Sequence, residues 1–356
     1  METVRAMGDL LLNYMCHTFV WRQRTTIYLF SILEGVNKYM KNFIQNSFLF
    51  CTIGIFVVFI PLIYIKYSMQ IASFPELQTL KKALKSNKDV ILFGSSVNRH
   101  TSSNDTDKRS IAEMLDKLLT KQNVVGISHG AYQADIYLEF VKYIAKQKRD
   151  EKPIIIIPIN LRYFSPEWDL RPSYQFAKEK CLLNGYPFWA NFKYREIKET
   201  EFHNFLVYNP NGRIEKVKDY LYISTKELDK LSEMRKGFIF HYMQPLKANH
   251  RKLKSLLKIC EIGKETDLKI VMYITPIDYT YAEQLKIQGF RQHLYDSVNT
   301  IKSTLASCEI ELIDLSMVLN SSYFDYNQRP NEHLNMSGRR EVAKALKSAI
   351  YHIVNP

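Results

Sequence analysis

Residue types that support nucleophilic chemistry follow short apolar runs at several places in this chain. A Gly-Ser-Ser sequence ending at Ser96 comes directly after "VILF", and Gly130 closes "VVGISHG". Asn160 follows "IIIIPI", and His333 lies in "NEHLNMSG" near the C-terminus. A serine becomes an effective nucleophile only when a base such as histidine lies within hydrogen-bond reach. Ser95 and Ser96 therefore either form a turn or present a nucleophile, depending on what the fold brings to them.

Alternating strands and helices must position these residues. Five β-branched apolar runs predict strands, at 89–93, 124–128, 153–159, 269–274 and 309–314. Helical periodicity separates them, at 107–121, 132–146, 280–305 and 337–353. Strands that are apolar on both faces predict an α/β domain with a parallel five-stranded sheet sandwiched by helices. Ligands bind beyond the carboxyl ends of such strands, so the candidate residues are expected at one edge of the sheet.

This ordered set resembles the four sequence blocks of the SGNH (GDSL-like) hydrolase superfamily. The matching positions, in chain order, are Ser96, Gly130, Asn160 and His333. Ser95 stands where the family's first block, Gly-Asp-Ser, has its aspartate. The resemblance covers about residues 86–165 and 266–353. It implies a flavodoxin-like sheet and an activity that needs no cofactor and no metal.

The resemblance also implies a role for each matched residue. Ser96 takes the nucleophile's place and His333 that of its base. The backbone N–H groups of Ser96 and Gly130 and the side-chain amide of Asn160 take the place of the oxyanion hole. The implied reaction is acyl transfer through an acyl-serine intermediate, with water or an alcohol as the acceptor.

The carboxylate that would orient the histidine is displaced in this sequence. Family members usually carry aspartate three residues before the histidine, where this chain has Pro330. Asp325 is the preferred substitute, reaching His333 from a longer loop, and Glu332 is the second candidate. A third possibility is that a backbone carbonyl orients the ring. The block around Asn160 also lacks the family's usual Gly and Asp.

Each matched residue has a purely structural interpretation as well. Ser96 could cap the following helix, and Gly130 could serve only a turn. Asn160 could form an Asx turn, and His333 could be a surface loop residue. Only the spatial arrangement separates these interpretations from the catalytic ones.

Residues 166–265 are too long for a plain crossover between strands and are predicted to form a helical insertion. Its aromatic residues are interpreted as its own core or as a groove for a glycan or acyl chain; they are Trp168, Tyr186, Phe188 and Trp189. Arg162, just before the insertion, either binds an anionic substrate or forms a surface ion pair. His100 and His129 could approach the pocket, although structural histidines are the more common case.

An uncharged segment of 24 residues lies between Lys41 and Lys66. As a helix it would extend roughly 36 Å, enough to cross a bilayer. The sequence therefore predicts a transmembrane helix over 42–66, a cytoplasmic or interfacial segment over 1–41, and an SGNH-type α/β domain over 75–356. Because lysine and arginine favour a cytoplasmic N-terminus, that domain is expected on the extracytoplasmic side of the cytoplasmic membrane. A buried core helix and a cleaved signal peptide are the alternatives.

Charge and cysteine content limit the partners. The formal net charge is +13, with basic residues scattered among acids on predicted helix faces. Most of these basic residues are interpreted as solvated helix faces, although a basic surface also suits anionic polymers or lipid headgroups. No nucleic-acid motif is present. The five cysteines form no C-x-x-C pair, so no metal cluster is predicted. Three cysteines follow the uncharged segment, an odd number that predicts no disulfide framework.

Together with the uncharged segment, the resemblance implies a membrane-anchored serine esterase or O-acyltransferase that acts on a cell-envelope polysaccharide or polymer. Within the superfamily, the membrane helix with Gly-Ser-Ser is similar to the D-alanylation protein of lipoteichoic acid synthesis and to acyltransferases of surface polysaccharides. The expected partners are an acylated glycan, membrane lipid and a membrane acyl-donor protein. The alternative is a catalytically inactive SGNH-like scaffold in an envelope assembly.

Overall fold

A computed structural model describes most of the chain from residue 74 onwards and a few residues before it. The described residues are 50, 54, 56–60, 62, 74–149, 151–165, 168, 176–185, 232–243, 245–325, 330 and 332–354. The chain divides into two units, Met1–Lys66 and Tyr67–Pro356. The second unit contains the sheet and all the candidate site residues.

The sheet has five parallel strands in the order β2-β1-β3-β4-β5. The strands are β1 (Val90–Gly94), β2 (Val124–Ser128), β3 (Ile154–Ile159), β4 (Ile270–Ile274) and β5 (Glu311–Asp314). The inner strands β1, β3 and β4 are buried along their whole length, which explains their unbroken apolar runs. This is the predicted flavodoxin-like sheet, and its order reverses between β1 and β3, where such folds bind ligands.

Helices cover both faces of the sheet. They are α1 (Pro75–Lys85), α2 (Ser96–Arg99), α3 (Ile111–Leu118), α4 (Ala134–Ala145), α5 (Ala177–Leu183), α6 (Glu233–Tyr242), α7 (Arg251–Thr266), α8 (Tyr279–Gln284), α9 (Phe290–Leu305) and α10 (Met336–Val354). Alternate residues of β1 enter opposite core layers, as the period of two requires. Ile91 and Phe93 join the layer under α1, α4, α7 and α9, whereas Val90 and Leu92 join the layer under α3 and α10.

The predicted helix over 280–305 is two helices in the structure. α8 ends at Gln284, and α9 begins at Phe290. Lys286 and Gly289 between them have φ values of 53° and 69°. Both residues are in the left-handed region, which an α-helix does not continue through, so the periodic pattern is interrupted there.

The end of the predicted insertion belongs to the layer that covers the sheet. Leu253, Leu256 and Ile259 of α7 are buried in the same core layer as α4. Asp135 of α4 accepts a hydrogen bond of 2.7 Å from Ser255 Oγ and pairs with Arg251. α7 is thus the crossover helix that leads into β4. Tyr186, Phe188 and Trp189 lie outside the described residues, whereas Trp168 is helical and buried.

A disulfide joins α7 to the segment that follows α9, which the cysteine count did not imply. Cys260 of α7 is bonded to Cys308, three residues after α9, with a Cα–Cα distance of 5.7 Å. Cys181 of α5 is buried and is not part of this disulfide. The odd number of cysteines implied no disulfide framework, but it does not prevent two of them from meeting when the segments that carry them pack side by side.

The predicted segment 1–41 and most of the predicted transmembrane helix over 42–66 lie outside the described residues. Among the residues that are described, no helix combines the length and apolar character needed to cross a membrane.

Candidate active site

The turn at the end of β1 consists of Gly94, Ser95 and Ser96, and each residue makes a different contact. A Cβ on Gly94 would lie 2.5 Å from Ser128 Oγ and from Asn98 Cβ, so only glycine fits there. The buried Ser95 is the N-cap of α2, because its Oγ accepts a hydrogen bond of 3.3 Å from the Val97 N–H. In return, Asn98 Oδ1 accepts from the Ser95 N–H, also at 3.3 Å. The capping role proposed for Ser96 is therefore filled by Ser95.

Ser96, the first residue of α2, is half-buried and meets the predicted histidine. Its Oγ lies 3.3 Å from Nε2 of His333, although the two residues are 237 positions apart in sequence. The next two residues fix His333 in place. Leu334 pairs with Phe324 in a β-bridge, and Asn335 Oδ1 caps the start of α10. The strand end and the final helix thus bring a hydroxyl and an imidazole into hydrogen-bond range.

The environment of His333 keeps its imidazole neutral. The pKa of His333 is lowered from 6.5 to about 4, mainly by burial and also by the positive charges of His100 and Arg162. The carboxylate of Asp325 acts in the opposite direction. A neutral imidazole can accept a proton from a serine hydroxyl, so His333 is in the protonation state that a general base requires at neutral pH.

Asp325 lies beside His333 but directs its carboxylate elsewhere. Among the described residues, the carboxylate accepts hydrogen bonds from His100 Nε2 at 2.8 Å and from Ser102 Oγ at 3.0 Å. The backbone N–H of Asp325 donates to the His333 carbonyl at 2.9 Å. The predicted direct bond from Asp325 to the His333 imidazole is not formed, because the ring of His100 takes the carboxylate.

His100 therefore lies at the site, as one of its two interpretations from the sequence allowed. Its ring stacks on that of His333, with centroids 4.2 Å apart and planes 16° from parallel. His100 is the C-cap residue of α2 and lies four residues, about one helical turn, after Ser96. That spacing, which places two residues on the same helical face, was the available signal.

Glu332, the second candidate acid, points into the protein interior. It is 2 % exposed and accepts hydrogen bonds from Thr275 Oγ1 at 2.6 Å and Tyr242 OH at 3.1 Å. The backbone N–H of Arg162 donates to it at 3.4 Å. Burial raises the pKa of Glu332 from 4.5 to about 7. Its contacts connect the loops after β3 and β4 with α6, and they do not include the His333 imidazole.

The two other matched residues follow the strands on either side of β1. Ser128 of β2 lies beside Gly94, and the His129 N–H donates to the Gly94 carbonyl at 3.3 Å. A Cβ on Gly130 would meet nothing within 4 Å, so this residue faces open space. Asn160 is buried, and its side chain makes no capping bond to the 3₁₀-helix Leu161–Phe164. Its Oδ1 has no hydrogen-bond partner among the described residues, so its side-chain amide is not used as an Asx turn.

Arg162 lies half-buried against the loop that carries the histidine. Its guanidinium donates to the Pro330 carbonyl at 3.3 Å and lies 5.6 Å from the centre of the Trp168 ring. Within the described part of the chain it forms no ion pair, and its Nε is buried without a hydrogen-bond partner. The interpretation as a surface ion pair is therefore not supported by its described contacts.

Arg339 on α10 links the segment that carries His100 to the segment that carries His333. It is fully buried and pairs with Asp105 at 2.7 Å. Its guanidinium also donates to the carbonyls of His100 at 3.3 Å and Leu334 at 3.1 Å. Sequence reasoning missed this residue, because "GRREVAKAL" looks like the solvated face of an ordinary basic helix.

Similarity to known proteins is found among solved structures. One of them is the crystal structure of a member of the lipolytic protein G-D-S-L family from Veillonella parvula DSM 2008. It shares 13% sequence identity with this chain over 73% of this chain and 94% of the other, at a TM-score of 0.36. No family model and no curated protein matches the chain. At this degree of similarity only the contacts around Ser96 and His333 bear on function.

Proposed function

We propose that this chain is a membrane-anchored serine esterase or O-acyltransferase of the SGNH type, acting on a cell-envelope polysaccharide or polymer. The observation that carries the proposal is the distance of 3.3 Å between Ser96 Oγ and His333 Nε2 at the carboxyl edge of the sheet. The pair lies at the point where the strand order reverses between β1 and β3, the usual ligand site of such folds.

The reaction begins when Ser96 Oγ attacks the carbonyl carbon of an ester and its proton passes to His333 Nε2. The carbonyl oxygen then carries a negative charge. Its donors are the Ser96 N–H, which no helical carbonyl satisfies at the start of α2, the Gly130 N–H and the Asn160 amide. Collapse expels the alcohol, which takes the proton from His333, and leaves an acyl-serine. Water or a glycan hydroxyl releases the acyl group by the same steps in reverse.

Two features support further parts of the proposal. The unpaired Nε of Arg162 suits an anionic group on the substrate or on an acyl-donor partner, because guanidinium binds oxyanions through several donors. The Cys260–Cys308 disulfide suits an oxidising compartment, in keeping with a catalytic domain outside the cytoplasmic membrane. Protease added to intact spheroplasts should then digest residues 70–356. Protection equal to that of a cytoplasmic marker would contradict this location.

A fluorophosphonate probe tests the chemistry without knowledge of the substrate, since it reacts with activated serines. The wild-type chain should be labelled at Ser96, and Ser96→Ala and His333→Ala should abolish labelling. Ser303→Ala, an exposed serine of α9, should label as the wild type does. Absence of wild-type labelling would instead favour the inactive scaffold, which the missing bond between Asp325 and the His333 ring makes the second candidate.

A further inference from the structure

Two imidazoles occupy the place where a serine hydrolase needs one. Nε2 of His333 faces Ser96 Oγ, and the His100 ring stacks on the face of the His333 ring with the centroids 4.2 Å apart. The carboxylate of Asp325 lies 2.8 Å from Nε2 of His100. Because an ionised carboxylate only accepts hydrogen bonds, this nitrogen carries the proton.

The position of His100 is fixed from several directions. Its backbone N–H donates to the Ser96 carbonyl at 2.8 Å, and its carbonyl accepts from Arg339. Ser102 holds the other oxygen of Asp325 at 3.0 Å. A ring held at both its backbone and its side chain presents a firm surface to the imidazole stacked on it.

We propose that His100 is the positioning residue of this active site: held by Asp325, it orients the imidazole of His333 by stacking and replaces the direct bond from carboxylate to base. This inference rests on the proposed function. In this arrangement Asp325 acts on His333 through His100, although its carboxylate does not bond to the His333 imidazole. The order of action is Asp325, then His100, then His333, then Ser96.

Charge gives the same arrangement a measurable signature. The groups that act on the charge of His333 are His100, Arg162 and Asp325. His100 faces Asp325 with its ring and Arg339 with its carbonyl. Two stacked imidazolium rings repel each other, so a proton on His100 opposes a proton on His333. Removal of the His100 charge should therefore raise the pKa of His333.

The experiment uses the full chain in detergent and follows the rate of fluorophosphonate labelling from pH 3 to pH 9. His100→Phe keeps an aromatic ring but loses the charge and the bond to Asp325. Its labelling should fall off at a higher pH than that of the wild type, because the base becomes protonated more easily. His100→Ala also loses the stacked surface and should label slower still. A misplaced base can cost up to about 10²-fold in rate. His352→Phe, an exposed histidine of α10, is the matched control and should match the wild type.

A double-mutant cycle tests the order of action. If Asp325 acts through His100, Asp325→Asn should slow the wild-type chain but have almost no effect in the His100→Phe background. If His100→Phe does not fold, His100→Gln removes the same charge and is used in its place. This inference would be overturned, and the proposed function kept, if Ser96 is labelled, the pH profile of His100→Phe equals that of the wild type, and the effects of His100→Phe and Asp325→Asn are additive. Labelling that is absent, or that survives Ser96→Ala, would overturn the proposed function itself.

Discussion

The two adjacent serines at the end of β1 differ in what their hydroxyl groups contact. Ser95 is 1 % exposed and its Oγ is committed to the cap of α2. Ser96 is half-buried and its Oγ faces an imidazole. A hydroxyl that caps a helix stabilises the fold, whereas one that faces a base at an open edge contributes little to packing.

Ser95→Ala and Ser96→Ala should therefore have opposite effects. Ser95→Ala should lower the free energy of unfolding by about 1 kcal/mol, as the loss of a cap does, and should keep most of the labelling. Ser96→Ala should change stability by less than about 0.5 kcal/mol and abolish labelling. Urea denaturation and labelling of the same two preparations check this. Loss of stability in Ser96→Ala with labelling intact would reverse the assignment.

Glu332 adds a dependence of stability on pH. Its carboxyl group is fully buried, and its pKa rises from 4.5 to about 7. A group whose pKa is raised by folding stabilises the fold fully below its unfolded pKa, and that stability is lost as the pH rises through the folded pKa. This contribution is therefore present below about pH 4.5 and gone above about pH 7, and the shift corresponds to on the order of 3 kcal/mol.

Glu332→Gln removes that ionisation while keeping an acceptor for Thr275 and Tyr242. The variant should gain stability relative to the wild type as the pH rises from 5 to 8. Thermal unfolding at several pH values measures the difference. A difference that stays constant across this range would show that Glu332 does not titrate there.

At the scale of whole elements, the site depends on how α10 is attached to the loop between α2 and α3. Arg339 makes this attachment with a guanidinium that is 0 % exposed and shares its donors among Asp105 and several backbone carbonyls. Because one of those carbonyls belongs to His100, the attachment also sets where the stacked rings meet.

Arg339→Ala should cost about 3–5 kcal/mol of unfolding free energy, because it leaves Asp105 buried without its counter-charge. Arg340→Ala, at the exposed neighbouring position, should stay within about 0.5 kcal/mol of the wild type. Urea denaturation of both variants measures the contrast. Similar small losses in the two variants would show that Arg339 does not hold the loops.

The disulfide between α7 and the end of α9 is a second link at this scale. It closes a loop of 48 residues, for which the chain-entropy relation gives about 4 kcal/mol of stabilisation. Cys260→Ser/Cys308→Ser should therefore melt well below the oxidised wild type, and reductant should lower the melting temperature of the wild type alone. An equal effect of reductant on both proteins would contradict the role of this bond.

At the scale of the whole molecule, the fold could be predicted from local sequence patterns, whereas the contacts that link the residues of the site could not. Five apolar runs and the helical periods between them predicted the parallel sheet, because strands buried on both faces leave a strong local signal. The pairing of Ser96 with His333 was anticipated by resemblance, and the structure places the two in contact. The route from Asp325 to His100, the buried Arg339 and the disulfide depend on residues far apart in sequence. The hydrophobic periodicity of a single helix or strand carries no information about such contacts.

The separation of Ser96 from His333 by 237 positions has a consequence in time. At about 5–20 residues per second, a ribosome makes the serine roughly 10–50 s before the histidine. During that interval one face of β1 and β3 also lacks the apolar side of α10, including Val342, Leu346 and Ile350. The growing chain therefore has an uncovered sheet and a Ser96 that does not yet face His333, and both conditions end when the last helix docks.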